Sequence, residues 1–294
     1  MIELPLHVYG TGSEPRVAVL TLTQPGRPVV VLDEELITSI DRAFDTIPTG
    51  IRGLVLASAS ERSFVAGADL KSIVEKSDAE LRDYLKLGTR VFARFSTAPY
   101  PTAAAICGAA LGGGLELAMH CDGLIGGASP LGKPYPVGLP ECGLAICPGW
   151  GGTNLLPARM DPALAIEMTA TGKTFMDDRA RETGVFDDLV EVGQNVVERA
   201  CAWVRSQAPP LRDGAPRRWI GRPDRRAALS KALGEVGAGA GSTGSAQAVL
   251  DAVRMGISKG WEAAIEAERE HLIRLRHTPE AKGAIEAFFA RSKK

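Results

Sequence analysis

The chain has 294 residues, 45% of them hydrophobic, and its 34 basic and 35 acidic side chains leave a net charge of −1. A chain of this length can bury one large core, or one core with an appended segment. The balanced charge argues against a nucleic-acid-binding protein, which needs an excess of Lys and Arg. The apolar runs at 17–22 and 29–32 are far shorter than the roughly 20 residues that cross a bilayer, so we expect no membrane span.

The N-terminus and the cysteines favour a cytoplasmic location. Residues 1–5 have neither the basic n-region nor the apolar h-region of a secretory signal. The five cysteines show no CxxC spacing, so we interpret them as reduced thiols. No group of His, Cys or Asp residues has metal-ligand spacing in the sequence, and we predict no metal site.

The first half of the chain alternates between strand and helix patterns. The β-rich run at 17–22 predicts a strand that ends at the turn 24–26. Asp33 is a predicted N-cap, and apolar residues at helical spacing predict a helix from there to Pro48. Strands that alternate with helices are typical of parallel sheets, so the predicted fold class is α/β. The other predicted elements of this half are strands at 53–57 and 102–107 and a helix from Leu81 to near Pro99.

The second half is mostly helical in its pattern. The predicted elements are helices at 163–170, 179–183, 196–206 and from 246 to the end, and a strand at 188–192. Residues 208–226 are rich in Pro and Arg, and residues 237–245 (GAGAGSTGS) have low complexity, so we predict flexible loops at both.

Six arginines lie in the first of these loops. We interpret them as a solvated surface, because runs of charge usually face water. The alternative is attraction of a phosphorylated ligand or of nucleic acid, and the balanced net charge weakens the nucleic-acid interpretation. The arginines are Arg212, Arg217, Arg218, Arg222, Arg225 and Arg226.

The segment 109–122 (AALGGGLELAMHCD) follows a predicted strand and opens an apolar helix. Its glycines let a ligand approach the backbone, and N–H groups at a helix start stabilise negative charge. A phosphate loop needs Lys and a hydroxyl after the glycines, but Leu115 and Glu116 stand there, and the spacing does not fit GxGxxG either. The remaining use of such a backbone is an oxyanion hole, which stabilises charge on a carbonyl oxygen.

Two further glycine-containing loops lie at 63–71 and 138–153, and the second contains Glu141. Glu116 and Glu141 both stand among apolar residues, where a carboxylate is costly to bury without partners. Taken singly, each residue also has a non-catalytic interpretation. Glu116 is then a carboxylate that interacts favourably with the helix dipole, and Glu141 is an ordinary acidic residue of a loop. Taken together, they are candidates for a pair of acid/base groups.

Three motifs, SFVAGADLK, AAICGAALGGGLELAMHCD and GLPECGLAICPGWGGTNLLP, occur in this order. Over about residues 15–205 the chain resembles the enoyl-CoA hydratase/isomerase, or crotonase, superfamily. The resemblance implies a spiral of ββα units and acyl thioesters of coenzyme A as ligands. It also implies a homotrimer, commonly paired into a hexamer. The predicted domains are a catalytic domain at 1–205 and a mostly helical C-terminal extension at 206–294, which includes the trimerisation region.

The resemblance also implies catalytic roles. The backbone N–H groups of Ala68 and Gly113 resemble the oxyanion hole that holds the thioester oxygen. Glu116 and Glu141 resemble the two acid/base carboxylates of a hydratase, and the Gly149 N–H resembles the group that helps to place the reacting water. Such a site adds water to a trans-2-enoyl-CoA to give a 3-hydroxyacyl-CoA. It requires no cofactor, since the coenzyme A is part of the substrate.

A second group of residues resembles the rim that contacts the coenzyme A. It comprises Ala66, Gly67, Asp69, Leu70 and Lys71, and Lys71 would meet the adenine and phosphates. Read from the residues alone, Asp69 orders its own loop and an exposed Lys71 is merely solvated. We therefore expect an acyl-CoA thioester as the partner of this chain, and neither nucleic acid nor a membrane.

The sequence departs from the simple hydratase pattern in three places. Glu116 and Glu141 are 25 residues apart, several more than in short hydratases, with the extra residues near 129–137. The turn at 24–32 lacks the Asn that commonly precedes the first helix. The C-terminal part is longer than in simple members, and its ending, from Arg269 onward, is similar to the region after the hydratase domain in multifunctional fatty-acid oxidation proteins.

These features leave three hypotheses. The first is an enoyl-CoA hydratase, a lyase of β-oxidation, because isomerases of the superfamily typically keep the carboxylate that matches Glu141 and lose the one that matches Glu116. The second is an isomerase or another acyl-CoA lyase or hydrolase of the same fold, since one fold hosts many reactions. The third is a non-catalytic subunit that binds CoA esters.

Overall fold

The computed structural model describes residues 2–10, 13–237 and 242–292. Residues 238–241 of the loop predicted at 237–245 therefore lie outside the described residues. The strands are β1 Leu6–Tyr9, β2 Val17–Leu22, β3 Gly53–Ser58, β4 Ser63–Val65, β5 Thr102–Ile106, β6 Ala109–Leu111, β7 Gly123–Gly126, β8 Pro136–Gly138, β9 Thr174–Met176 and β10 Asp188–Leu189.

The helices are α1 Glu34–Asp45, α2 Leu70–Glu75, α3 Asp78–Thr97, α4 Gly113–Met119, α5 Gly152–Leu155, α6 Pro162–Thr171, α7 Asp177–Thr183, α8 Val196–Ser206, α9 Arg226–Gly237, α10 Gly244–Lys259, α11 Trp261–Leu275 and α12 Pro279–Ser292. Glu141–Leu144 and Leu156–Ala158 form single turns of 3-10 helix. The α/β class that the sequence predicts is confirmed. Among the helices that the structure describes, none combines the length and apolar character needed to cross a bilayer.

The chain divides into two compact units whose segments alternate along the sequence. The first comprises Met1–Ala68, Leu87–Val137 and Phe175–Arg217, and the second comprises Asp69–Lys86, Gly138–Thr174 and Arg218–Lys294. The predicted domains 1–205 and 206–294 stay a prediction.

The first unit contains two sheets. Six strands follow the order β1-β2-β3-β5-β7-β10, in which only the β1–β2 pair is antiparallel. Four short strands form the second sheet in the order β4-β6-β8-β9, with β4 parallel to β6. Parallel strands need covering on both faces, which explains why β3 and β5 are buried along almost their whole length.

Helix α8 covers one face of the six-stranded sheet. Its buried residues Val196, Ala200 and Val204 pack with alternate residues of β2, β3 and β5 in one apolar cluster. A Cβ added at Gly53 would lie 2.7 Å from the Val204 side chain, so the helix comes close to the sheet. The prediction of a helix at 196–206 is confirmed.

Helix α1 confirms the predicted N-cap. The Asp33 side chain accepts a hydrogen bond from the Leu36 N–H at 2.8 Å, which satisfies one of the amides left free at the helix start. Burial of Leu36, Ile40 and Phe44 gives the helix one apolar face. The Phe44 ring meets Phe95 edge to face, with ring centroids 4.7 Å apart.

The second unit is built mainly from helices. Helices α10 and α11 pack against each other and are joined at Gly260, whose φ of +96° favours glycine. The sequence predicted helix from 246 to the end, whereas the structure has three separate helices there. The breaks fall at Gly260 and before Pro279, two residue types that commonly end or begin a helix.

The prediction of a solvated arginine loop is wrong for Arg212. Its guanidinium pairs with the carboxylate of Asp122 through bonds of 2.6 and 2.8 Å, and it also donates to the carbonyls of Ala98 and Tyr100. Asp122 is only 1% exposed, so this is a buried, bidentate pair within the first unit. Charge patterning could not reveal a partner 90 residues away.

Candidate active site

The glycine-rich turn before α4 places main-chain N–H donors at one end of the paired strands β4 and β6. Gly112 is the N-cap of α4 and has a φ of 50°, and Gly113 is the first helical residue. The first amides of a helix have no partner within the helix, so the Gly113 N–H faces out of the helix start. A Cβ at Gly114 would lie 2.4 Å from the Val65 carbonyl oxygen, so glycine is required for α4 to approach β4 this closely.

The loop 66–68 follows strand β4, the parallel partner of β6. Because β4 pairs in parallel with β6, residues 66–68 and 112–113 follow their strands at the same end of the sheet. The loop is held by hydrogen bonds from Ala66 N to Val30 O at 2.8 Å and from Leu32 N to Gly67 O at 2.9 Å. The first unit thus brings together the loops of Ala68 and Gly113, the two predicted oxyanion donors.

Glu116 lies in the first turn of α4 and is 1% exposed. All seven residues of this helix are buried, so the Glu116 carboxylate is shielded from water. The helix start lessens the cost of burying a negative charge there, since the amides of the first turn carry partial positive charge. The first unit therefore contains Ala66, Gly67, Ala68, Gly113 and Glu116 of the predicted site.

The second unit contains the rest of the predicted CoA rim. Asp69 caps α2: its carboxylate accepts from the Lys71 and Ser72 amides and from the Ser72 hydroxyl at 2.8 Å. Asp69 therefore orders its own loop, as the residue-level interpretation predicted. Lys71 is exposed, and Leu70 is half-buried. A shallow surface hollow here is lined by Asp69, Lys71, Ser72, Glu75, Lys76 and Glu80.

Glu141 opens a 3-10 turn in the second unit. The residue is half-buried as a whole, but its Oε2 atom is buried and has no hydrogen-bond partner among the described residues. Burial raises the pKa of the Glu141 carboxyl, and the charge of Glu268 raises that pKa further. A carboxyl with a raised pKa holds a proton near neutral pH, which is what a general acid needs.

Glu268 is a residue that the sequence did not single out. It lies on α11, is fully buried, and accepts hydrogen bonds from the Gly151 N–H at 2.6 Å and the Thr153 N–H at 2.9 Å. The Thr153 hydroxyl donates to it as well. Burial raises the pKa of Glu268, while the bonds from Thr153 and Gly151 oppose that shift.

A sequence signal for Glu268 did exist. The buried apolar stripe of α11 includes Ala264 and Leu272, four residues before and after Glu268. A glutamate in the middle of such a stripe is unusual, because a buried carboxylate needs partners. Only the folded chain shows that those partners are Gly151 and Thr153.

Gly149 lies in a fully buried turn beside α11. A Cβ at Gly149 would be 3.0 Å from the Leu272 side chain and 3.1 Å from that of Leu85. Next to it, the Trp150 indole N–H donates to the Leu85 carbonyl at 2.9 Å. The second unit thus brings Gly149, Gly151 and Thr153 against the helix that carries Glu268.

Two other polar residues near the motifs have packing roles. His120 is 2% exposed, and its ring meets Phe92 at a centroid distance of 5.8 Å. Burial raises the pKa of the Cys142 thiol to about 12, so the thiolate needed for nucleophilic attack is disfavoured.

The family model described as enoyl-CoA hydratase/isomerase matches residues 12–212 of this chain. Among curated proteins, the fatty acid oxidation complex subunit alpha of Shewanella loihica is 34% identical over 282 residues, which are 93% of this chain and 40% of that protein. The corresponding subunit of Shewanella amazonensis is 33% identical over 282 residues, again 93% of this chain and 40% of that protein. The chain thus spans about 40% of the length of these relatives.

Solved structures share the fold. An enoyl-CoA hydratase from Bacillus anthracis is 25% identical and has a TM-score of 0.58, with 97% of this chain and 96% of that one covered. A human mitochondrial delta3-delta2-enoyl-CoA isomerase is 21% identical and has a TM-score of 0.67, with 98% of each chain covered. The second likeness, at that identity, concerns the fold alone.

Proposed function

Because the chain belongs to the enoyl-CoA hydratase/isomerase family, we propose that it is an enoyl-CoA hydratase of fatty-acid oxidation. The observation that carries this proposal is the burial of two motif carboxyl groups. Glu116 is 1% exposed, and the Oε2 atom of Glu141 is buried with no hydrogen-bond partner within residues 2–10, 13–237 and 242–292. An isomerase moves one proton within its substrate, for which a single carboxylate suffices. Hydration needs one group to activate water and one to protonate carbon, so retaining both favours the hydratase.

In the proposed reaction, the Ala68 and Gly113 amides hold the thioester oxygen while negative charge develops on it. Each such donor contributes on the order of 3 kcal/mol to the transition state. Glu116 acts as the base that takes a proton from water. Water oxygen bonds to the β-carbon as the double-bond electrons move toward the thioester, and Glu141 gives its proton to the α-carbon.

The raised pKa of Glu141 supports this division of roles, because the acid must start with a proton. The Gly149 amide orients the water, and the rim of Ala66, Gly67, Asp69, Leu70 and Lys71 receives the coenzyme A. This reaction needs no cofactor beyond the substrate's own coenzyme A. We further propose a cytoplasmic homotrimer or hexamer, as the family resemblance implies.

The assay is loss of the conjugated thioester absorbance of trans-2-enoyl-CoA, with 3-hydroxyacyl-CoA identified as the product. Short, medium and long acyl chains are offered because the segment 129–137 can alter chain-length preference. Double-bond migration in 3-enoyl-CoA without water addition would establish the isomerase instead. Binding of CoA esters without turnover at any chain length would establish the non-catalytic subunit.

The first prediction concerns the two carboxyl groups. Glu116→Gln and Glu141→Gln each lower kcat by about 10²–10⁴-fold, because neither amide can transfer a proton, while substrate affinity stays nearly normal. The matched control is Glu167→Gln on an exposed face of α6, which keeps full activity. A normal rate in either site variant would remove that residue from the mechanism.

A further inference from the structure

The turn 149–153 has few side chains of its own: Trp150 donates to the Leu85 carbonyl and Thr153 to Glu268, and its other residues have none. Three of its five residues are glycine. Gly151 is the N-cap of α5, has a φ of +102°, and offers no capping side chain. A Cβ at Gly151 would lie 2.5 Å from the Trp261 ring, so this position cannot take the Ser or Asp that usually caps a helix.

Glu268 supplies the missing cap from a distant part of the chain. Its two carboxylate oxygens accept from the Gly151 and Thr153 amides, 117 and 115 residues earlier in the sequence. Both oxygens act as acceptors, which suits an ionised carboxylate. Bonds from N–H donors to a charged acceptor are about twice as strong as neutral ones, so these contacts hold the turn firmly.

Glu268 is itself held in place by the helix that carries it. Glu268 lies within α11, between Ala264 and Leu272, which are both buried. The Thr153 hydroxyl donates to Glu268. It also accepts a hydrogen bond from the side-chain amide of Asn154 at 2.8 Å. The same side-chain amide donates to the Ala252 carbonyl of α10 at 3.2 Å. The turn is therefore tied to two helices through one connected set of hydrogen bonds.

We propose that Glu268 is a positioning residue of the hydration reaction, whose carboxylate fixes the 149–153 turn and thereby the Gly149 amide that orients water. This inference rests on the proposed function, since it assigns Gly149 its task. It lies beyond the matched family region, which ends at residue 212. The part of the chain outside that region thus supports the chemistry inside it.

The main test is Glu268→Gln. The amide keeps one acceptor oxygen but turns an NH2 group toward one of the N–H donors, so the turn must shift. A misplacement of about 1 Å in a catalytic group can cost on the order of 100-fold in rate, and we expect a kcat loss of that order with KM unchanged. The control Glu262→Gln makes the same change on an exposed position of α11 and keeps the wild-type kcat.

A second variant covers the case in which Glu268→Gln does not fold. Thr153→Val is close to isosteric and removes only the hydroxyl, leaving both backbone bonds to Glu268. We expect roughly a tenfold loss of kcat, again with KM unchanged. Wild-type kcat in a folded Glu268→Gln, or in Thr153→Val if the first variant is unfolded, would overturn the proposal.

Amide hydrogen exchange separates this inference from the proposed function. In Glu268→Gln, the amides of Gly151 and Thr153 exchange faster while amides of α10 keep wild-type protection. In Thr153→Val, used if only that variant folds, both backbone bonds remain but lose the support of the hydroxyl, so the same amides exchange faster by a smaller factor. If wild-type protein fails to hydrate any enoyl-CoA, the proposed function fails, and exchange alone decides whether Glu268 holds the turn. Unchanged exchange at 149–153 overturns the inference, even when kcat falls.

Discussion

At the scale of single residues, Glu141 and Glu268 each have a carboxyl oxygen that is shielded from water. Glu141 has a buried oxygen with no hydrogen-bond partner in the part of the chain that the structure describes, and Glu268 has three donors aimed at it. Two like charges so placed disfavour each other, so the pair keeps a proton. The donors around Glu268 stabilise its ionised form, which leaves the proton on Glu141, where a general acid needs it.

This arrangement predicts how stability depends on pH. The folded-state pKa of Glu141 is raised, so the folded protein binds more protons than the unfolded chain once pH exceeds the ordinary value of about 4.3. The contribution is fully present below that value and is lost as pH rises through the raised pKa. Urea unfolding between about pH 5 and pH 8 should therefore show falling stability, with a smaller fall in Glu141→Gln.

Glu262→Gln is the control for that measurement, because its carboxylate is exposed. It should keep the wild-type dependence on pH. An equal fall in wild type and Glu141→Gln would mean that Glu141 does not titrate with a raised pKa.

At the scale of elements, glycines decide how closely α4 approaches the sheet. Gly114 faces the Val65 carbonyl oxygen of β4. A Cβ atom at position 114 would lie 2.4 Å from that oxygen, which is far shorter than a van der Waals contact. The close approach carries the Gly113 amide and Glu116 with it, since all three belong to the same seven-residue helix. Packing therefore constrains the same short helix that carries two residues of the proposed site.

We expect Gly114→Ala to lower the free energy of unfolding by about 1–3 kcal/mol, because the clash is with backbone and must displace α4. Under the proposed function, hydratase activity should fall as well, because displacement of α4 moves the Gly113 amide and Glu116. The matched control is Gly283→Ala in α12, where a Cβ meets nothing within 4 Å. That change should be neutral or stabilising by up to about 1 kcal/mol, and urea denaturation of both variants provides the comparison.

At the scale of the whole molecule, each compact unit has an arginine, largely shielded from water, that joins distant parts of the chain. In the first unit Arg212 meets Asp122. In the second, Arg276 donates to the Ile73 and Lys76 carbonyls at 2.6 and 2.7 Å and to the Asp78 carboxylate, about 200 residues earlier in the sequence. Such planar, multidentate donors suit a junction where several acceptors converge.

Arg276→Met tests the second junction. Two carbonyls lose their donor, so the free energy of unfolding should fall by about 2–3 kcal/mol. Arg82→Met is the control: Arg82 pairs with Glu270 at the surface, and such pairs contribute about 0–1 kcal/mol. Equal losses in the two variants would show that the buried contacts of Arg276 add nothing beyond an ordinary surface pair.

The sequence by itself determined what depends on near neighbours in the chain. Several features follow from residues within a turn or two of one another. They are the cap at Asp33, the β-rich run at 17–22, the helix at 196–206 and the three glycine motifs. Backbone propensity and hydrophobic periodicity act over that range, so they could be read directly. The carboxylates Glu116 and Glu141 were found because their motifs are contiguous.

The tertiary structure alone decided which distant residues meet. Glu268 caps a turn 117 residues away, and Arg212 pairs across 90 residues. No spacing rule encodes such partners, because chain topology sets them after the elements have formed. The same cause explains why a predicted solvated run of charge contains an ion pair with the buried Asp122. It also explains why Glu268, in an apolar stripe, accepts hydrogen bonds from the turn at 151–153.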